Sequence, residues 1–167
     1  HTLTGDLTAQ NLEMQSGNFW TGGARLHGSL TWVAGNWLTT VGGPGMTVAP
    51  DCTIVLVPGN YKYLIGIATN HGALVLTGNT ALYLDNGGGH ARLVNSGLVE
   101  SQGNDTFLHG GTGGGVLENR GTFTKSGGNA ASTVASGVLF LNTGTVTVQT
   151  QTLNLQNGLL SGSFNGE

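Results

Sequence analysis

An Asn-x-Gly element returns along this chain at nearly constant spacing, and nothing else in the sequence narrows the possible folds as far. It occurs as Asn70-His71-Gly72, Asn95-Ser96-Gly97, Asn119-Arg120-Gly121 and Asn142-Thr143-Gly144, at steps of 25, 24 and 23 residues. A fixed period of roughly 20 to 50 residues is the mark of a solenoid, propeller or array. Two after each anchor glycine stand Leu74, Val99, Phe123 and Val146, and two before each asparagine stand Ala68, Leu93, Leu117 and Phe140. Both positions are apolar in every copy and are assigned to the core. The neighbouring Val75, Glu100, Thr124 and Thr147 tolerate charge and are assigned to the surface, because side chains alternate across a strand.

A second, weaker echo lies within the period, in "LYLDNG" from Leu82 and "LNLQNG" from Leu153. Three short strands per period follow: one after Asn-x-Gly, one ending in Asn-Gly, and one leading to the next anchor. That is the arithmetic of a single-stranded parallel β-helix. Stacking like on like at about 4.8 Å lets each strand hydrogen-bond to its copy and lines asparagines into ladders. About seven coils of about 24 residues make a rod near 30 Å long at that spacing. Glycine and asparagine at the corners are expected to supply positive φ.

Composition agrees with an all-β chain. Charged residues are 8% of the sequence and Gly is 31 of 167, so Thr, Asn, Ser and Gln must supply the polar surface. No window of helical length carries a 3.6-residue apolar period. An apolar content of 38% in dense β-runs argues for a folded chain rather than a disordered one. The net charge of −3 and five scattered Lys and Arg residues offer no stripe for a phosphate backbone, which excludes nucleic acid as a partner. No apolar run approaches the length of a membrane-spanning helix. The single Cys52 excludes an internal disulfide. A sequence that opens on His1 is expected to be part of a longer or processed chain.

The chain is read as one solenoid domain, 1–167, with a regular portion at 68–164 and a less regular one at 1–67. All three prolines (Pro44, Pro50 and Pro58), all three tryptophans and two of the three tyrosines fall in the earlier portion. Prolines interrupt ladders, so irregular coils are expected there.

The stretch "FLNTGTVTVQTQTLNLQNGLLSGSF", Phe140 to Phe164, resembles repeats of very large secreted and cell-surface bacterial proteins of adhesin-like and autotransporter-passenger-like kind. The resemblance covers 68–164. It implies a right-handed parallel β-helix outside the cell, serving as stalk, spacer or adhesive surface, with flanking repeats or domains and with glycans or matrix components as partners. It carries no catalytic residue, metal ligand or cofactor onto this chain.

An enzyme on this scaffold would be a polysaccharide lyase or hydrolase, with carboxylates converging from neighbouring coils. Asp85 and Asp105 are the candidates by their loops, whereas Glu100 and Glu118 flank their anchors differently and are not expected to meet. Copper chelation by His1 would need a second histidine from His27, His71, His90 or His109. "GGTGGG", Gly110 to Gly115, lacks the Lys-Ser/Thr and the helix of a phosphate loop. Thr122/Thr124 and Thr145/Thr147 form ranks suited to ordering ice, but Leu98/Glu100 and Ala73/Val75 break them. The remaining binding candidates are aromatic: Trp20, Trp32, Trp37, Tyr61 and Tyr63 offer flat faces for sugar rings, unless the tryptophans fill the core or cap the rod.

Overall fold

A computed structural model describes residues 3–39, 43–85, 91–111 and 113–166. Among these residues there are 21 strands, no helix, and parallel pairing throughout. The strands stack as a β-solenoid in about six turns of ~23 residues. His1, His90 and Thr112 of the glycine run lie outside the described residues.

Three faces make up the coil. The first stacks Met46–Val48, Ile67–Asn70, Arg92–Asn95, Gly115–Asn119, Val138–Asn142 and Gly158–Leu160. The second stacks Thr53–Leu56, Ala73–Leu76, Leu98–Ser101, Thr122–Lys125, Thr145–Val148 and Ser163–Gly166. The third is a separate seven-stranded sheet of Asn18–Thr21, Gly35–Thr39, Lys62–Ile65, Ala81–Leu84, Thr106–His109, Ser132–Val134 and Leu153–Leu155. The first two faces join through the long strand Arg25–Trp32, whose start pairs with Met46–Val48 and whose end pairs with Thr53–Leu56. Gly28 sits between those halves at φ +84, and a Cβ there would lie 2.1 Å from the carbonyl oxygen of Ala9. The strand therefore bends at the one residue type that permits both the angle and the approach.

The anchors pair residue for residue. Asn70, Asn95, Asn119 and Asn142 occupy one column, and so do Leu74, Val99, Phe123 and Val146. All four asparagines are buried, and Asn70, Asn95 and Asn119 each donate through Nδ2 to Oδ1 of the next, at 2.9, 2.7 and 2.7 Å. The second Nδ2 hydrogen of each of the first three goes to the carbonyl of Leu98, Thr122 or Thr145. Apart from Asn70 Oδ1 at the start of the series, the buried amides are thus paired with neighbours instead of water, the condition on which a buried polar group is tolerated.

The anchor glycines serve a different purpose from the one expected. Gly72, Gly97, Gly121 and Gly144 do not have positive φ. A Cβ on each would stand 2.2, 2.2, 2.3 and 2.2 Å from a carbonyl oxygen of the preceding coil, which is Cys52, Gly72, Gly97 and Gly121 in turn. Close stacking of the corner, rather than its dihedral angle, selects glycine. Positive φ is found elsewhere, at Asn11, Asn79, Asp85, Gln151 and a separate set of glycines.

Two further expectations are revised. The echo of "LYLDNG" in "LNLQNG" is real, since Leu82–Leu84 and Leu153–Leu155 both lie on the third face, but its register is offset by two. Leu82 stacks through Phe107 and Val134 onto Leu155, not Leu153. A shift of two keeps every side chain on its face, so an apolar pattern does not resolve it. The prolines lie between strands and leave the ladders running: Arg25–Trp32, Thr53–Leu56 and Ala73–Leu76 pair in sequence. Irregularity appears instead as a bulge between Ala9 and Leu12, where the amide of Asn11, at φ 63, donates to Ser29 Oγ at 2.8 Å.

The interior is filled from all three sides. Phe107 of the third face, Phe123 of the second and Phe140 of the first are wholly buried, with successive ring centroids 5.6 and 5.7 Å apart.

Candidate functional site

Chemistry on a solenoid needs groups converging from adjacent coils, and the candidate carboxylates Asp85 and Asp105 do not converge. Asp85 follows the strand Ala81–Leu84 and Asp105 precedes Thr106–His109, so they stand at opposite ends of two paired strands. Both are buried. The Asp105 carboxylate accepts from the amides of Thr80 (2.7 Å) and Gly103 (2.9 Å) and from Ser101 Oγ (2.7 Å). Ser132 Oγ lies 2.7 Å from Ser101 Oγ, and Lys125 Nζ donates to the carbonyls of Gly103 and Gly127. This buried group joins three successive coils at one corner. Burial lowers the pKa of Lys125 while the charge of Asp105 opposes that shift.

Glu118 lies on the first face and Glu100 on the second, as expected of residues on different sides of their anchors. Arg92 Nε (3.0 Å) and Arg120 Nε (2.6 Å) both donate to Glu118. Burial alone would raise the Glu118 carboxyl, but the hydrogen bonds and charges of the two arginines hold it below the ordinary carboxylate value. Glu100 accepts from Ser126 Oγ at 2.5 Å.

The histidines are also dispersed. His27 Nδ1 lies 2.8 Å from Asp51 and Nε2 lies 3.9 Å from Asp6, His71 is exposed at a corner, and His109 lies on the third face. Among the described residues no three His, Cys, Asp or Glu side chains are grouped to hold a metal ion. Burial, with a smaller effect from Asp51, raises the Cys52 thiol to about 11, so it stays protonated at neutral pH.

The aromatic residues sort cleanly. Trp32 and Trp37 are each 2% exposed and pack edge-to-face with centroids 5.3 Å apart, and Phe19 meets Trp37 at 5.9 Å. They fill the early coils and present no face to solvent. Trp20 and Tyr63 belong to strands of the third face and Tyr61 immediately precedes one, with Trp20 43% and Tyr61 64% exposed.

Tyr83 joins them, a residue the sequence reading passed over. It pairs in register with Tyr63, as Tyr63 does with Asn36, Asn36 with Asn18, and Tyr83 with Leu108. The outward row therefore reads Asn18, Asn36, Tyr63, Tyr83, Leu108, with Asn36 Nδ2 donating to Asn18 Oδ1 at 2.8 Å. The signal was available: Tyr-Leu occurs at 63–64 and again at 83–84, once per coil.

The three tyrosines touch one another. Centroids of Tyr63 and Tyr83 are 4.9 Å apart, those of Tyr61 and Tyr83 5.5 Å, and those of Tyr61 and Tyr63 6.2 Å. A Cβ on Gly110 would come within 3.2 Å of Tyr63 and 3.5 Å of Tyr83, so the glycine run begins where the backbone passes close against the rings. Partial burial raises the Tyr83 hydroxyl above its ordinary value, and the nearness of Tyr61 and Tyr63 adds to the shift. The Tyr83 phenol is therefore neutral at physiological pH. Lys62 is the one Asp, Glu, Lys or Arg within the seven strands, and it is buried with Nζ donating to the carbonyl of Asn60 at 3.1 Å. The outer side of this sheet thus combines contiguous aromatic surface, amides and hydroxyls without charge. Comparison with protein-family models, with curated proteins and with solved structures finds no match to this chain.

Proposed function

We propose that this chain is a structural or adhesive β-solenoid module, a rigid non-catalytic segment of a larger protein displayed outside a bacterial cell. The observation that carries the reading is the unbroken register of the coils from Asn70 to Asn142, joined by the buried ladder of Asn70, Asn95, Asn119 and Asn142. Such a stack transmits length and stiffness, because each coil is held by its neighbours and strand pairing runs along the rod axis. The polar side chains of the interior are engaged in holding that stack: Asp105, Ser101 and Ser132 tie three coils at one corner. A surface of Thr, Asn, Ser and Gln with few charges suits a spacer that must avoid nonspecific ionic attachment.

Immunogold labelling of intact, unpermeabilised cells that make the protein tests the assignment. Decoration of the outer surface is the expected result. Labelling that appears only after the cells are lysed would overturn it.

A further inference from the structure

We infer that Asn157 is a site of spontaneous covalent modification, at which the amide nitrogen of Gly158 attacks the side-chain carbonyl and the asparagine is converted to aspartate and isoaspartate. The chemistry needs only water and is independent of where the protein is displayed.

Three observations carry it. The first is the neighbour. Gly158 stacks on Phe140, and a Cβ at 158 would stand 2.7 Å from the Phe140 carbonyl oxygen, so packing requires glycine there. The same missing Cβ leaves the Gly158 nitrogen unhindered as a nucleophile. Close stacking of the coils thus selects the residue type that makes Asn157 reactive. The buried asparagines of the ladder precede His71, Ser96, Arg120 and Thr143, whose side chains screen the following nitrogen.

The second is access. Asn157 lies in the bend between Leu153–Leu155 and Gly158–Leu160 and is exposed. Its Nδ2 donates to the Ser136 carbonyl at 3.1 Å, an exposed hydrogen bond that water readily replaces.

The third is the contrast with Asn165-Gly166, the other Asn-Gly pair among the described residues. That pair lies inside the strand Ser163–Gly166, in register with Thr147 and Val148. Closing a five-membered ring turns the asparagine ψ away from the extended value, so this pair must leave its ladder before it reacts. Asn86-Gly87 lies outside the described residues.

The Gly158 nitrogen gives up its proton to water or hydroxide and bonds to Asn157 Cγ. The Cγ–Nδ2 bond breaks, ammonia leaves, and a succinimide remains. Water then opens the ring at either carbonyl. No oxidant or reductant enters. The product replaces the donor to Ser136 with a carboxylate oxygen facing a carbonyl, and its isoaspartate form adds a methylene to the main chain at this corner. It also places a negative charge in residues 149–166, which hold no Asp, Glu, Lys or Arg. The pairing of Gly158–Leu160 with Val138–Asn142 is weakened as a result.

Peptide mapping of native protein held in mildly alkaline buffer at physiological temperature tests the site. Lys125 is the last Lys or Arg, so trypsin releases one peptide, Ser126 to Glu167, that contains both described pairs. Electron-transfer fragmentation then assigns each product. A mass gain equal to exchange of NH2 for OH is expected at Asn157, about tenfold faster than at Asn165, and the two rates should converge in urea, where no ladder holds Asn165. No gain at Asn157 in the native protein, or an equal or faster gain at Asn165, overturns the inference. Asn157→Gln keeps an amide but needs a larger ring, so it should hold its thermal midpoint through the same incubation while the unsubstituted protein loses some of its own. An equal fall in both would overturn the weakening assigned to this corner.

Discussion

At the scale of single residues, the Asn-x-Gly anchor performs two separable tasks. The asparagine closes a buried chain of amides, and the glycine lets two corners of backbone pass at contact distance. Each task predicts its own failure. Asn95→Ala removes both the acceptor of Asn70 Nδ2 and the donor to Asn119 Oδ1, leaving buried groups without partners. The expected loss is about 2 to 4 kcal/mol in urea unfolding at neutral pH. Gly97→Ala places a Cβ about where only 2.2 Å separates it from the Gly72 carbonyl oxygen, so coils must shift apart. A loss of about 3 kcal/mol is expected, and it should exceed the loss for Gly166→Ala, whose Cβ meets nothing. Equal midpoints for those two glycine variants would remove close approach as the explanation.

Within single elements the sequence was legible where a column is uniform and obscure where it is not. The columns through Asn95 and Val99 declared themselves because four copies agree, and the surface assignment of Glu100 followed from alternation alone. The third face has no such column: its inward positions run Gly35, Lys62, Leu82, Phe107, Val134 and Leu155, so the two-residue offset of the "LNLQNG" echo had nothing to correct it. For the same reason Tyr83 read as a register mark and not as surface, and the inward course of Lys62 and Lys125 went unseen. Lysine in a short strand gives no sign of its direction when its neighbours vary.

Lys62 carries a prediction on this scale. Burial lowers its pKa, so between that lowered value and the ordinary value near 10.4 the unfolded chain binds the proton that the folded chain has released. Stability from this residue therefore rises with pH across that window and is least where Lys62 is charged in both states. Lys125 contributes with the same sign. Tyr83 acts oppositely and only above pH 10, since its raised pKa makes the unfolded state release its proton first. Lys62→Met replaces the ammonium with an apolar chain in a column of Leu82 and Phe107. It should stabilise the fold by about 1 kcal/mol at pH 7 and flatten the rise of the urea midpoint toward pH 10. An unchanged slope would place the pH dependence elsewhere.

Across the whole molecule, stability is a sum over neighbouring coils, and damage should spread along the stack. Phe123 is wholly buried at the centre, in contact with Phe107 and Phe140 from the other two faces. Phe123→Asp puts an unpaired carboxylate there and is expected to cost more than about 4 kcal/mol. Amide hydrogen exchange should show protection lost together in Leu98–Ser101, Thr122–Lys125 and Thr145–Val148, while Arg25–Trp32 and Thr53–Leu56 keep theirs longer. Val99→Asp, one coil earlier in the same column, should give the same pattern displaced by one coil. Thermal unfolding unchanged by either substitution would refute the register.

The asparagine ladder has one more consequence. The Nδ2 of Asn70, Asn95 and Asn119 each points to the Oδ1 of the later coil, so the amide dipoles of these three add along the axis instead of cancelling. Asn70 begins the series with a buried Oδ1 that has no donor among the described residues, and Asn142 ends it with an Nδ2 turned to its own corner at Gly144. A column of leucines reads the same from either direction. This column is an arrow, and it gives the rod an electrical sense of up and down that its near-neutral surface conceals.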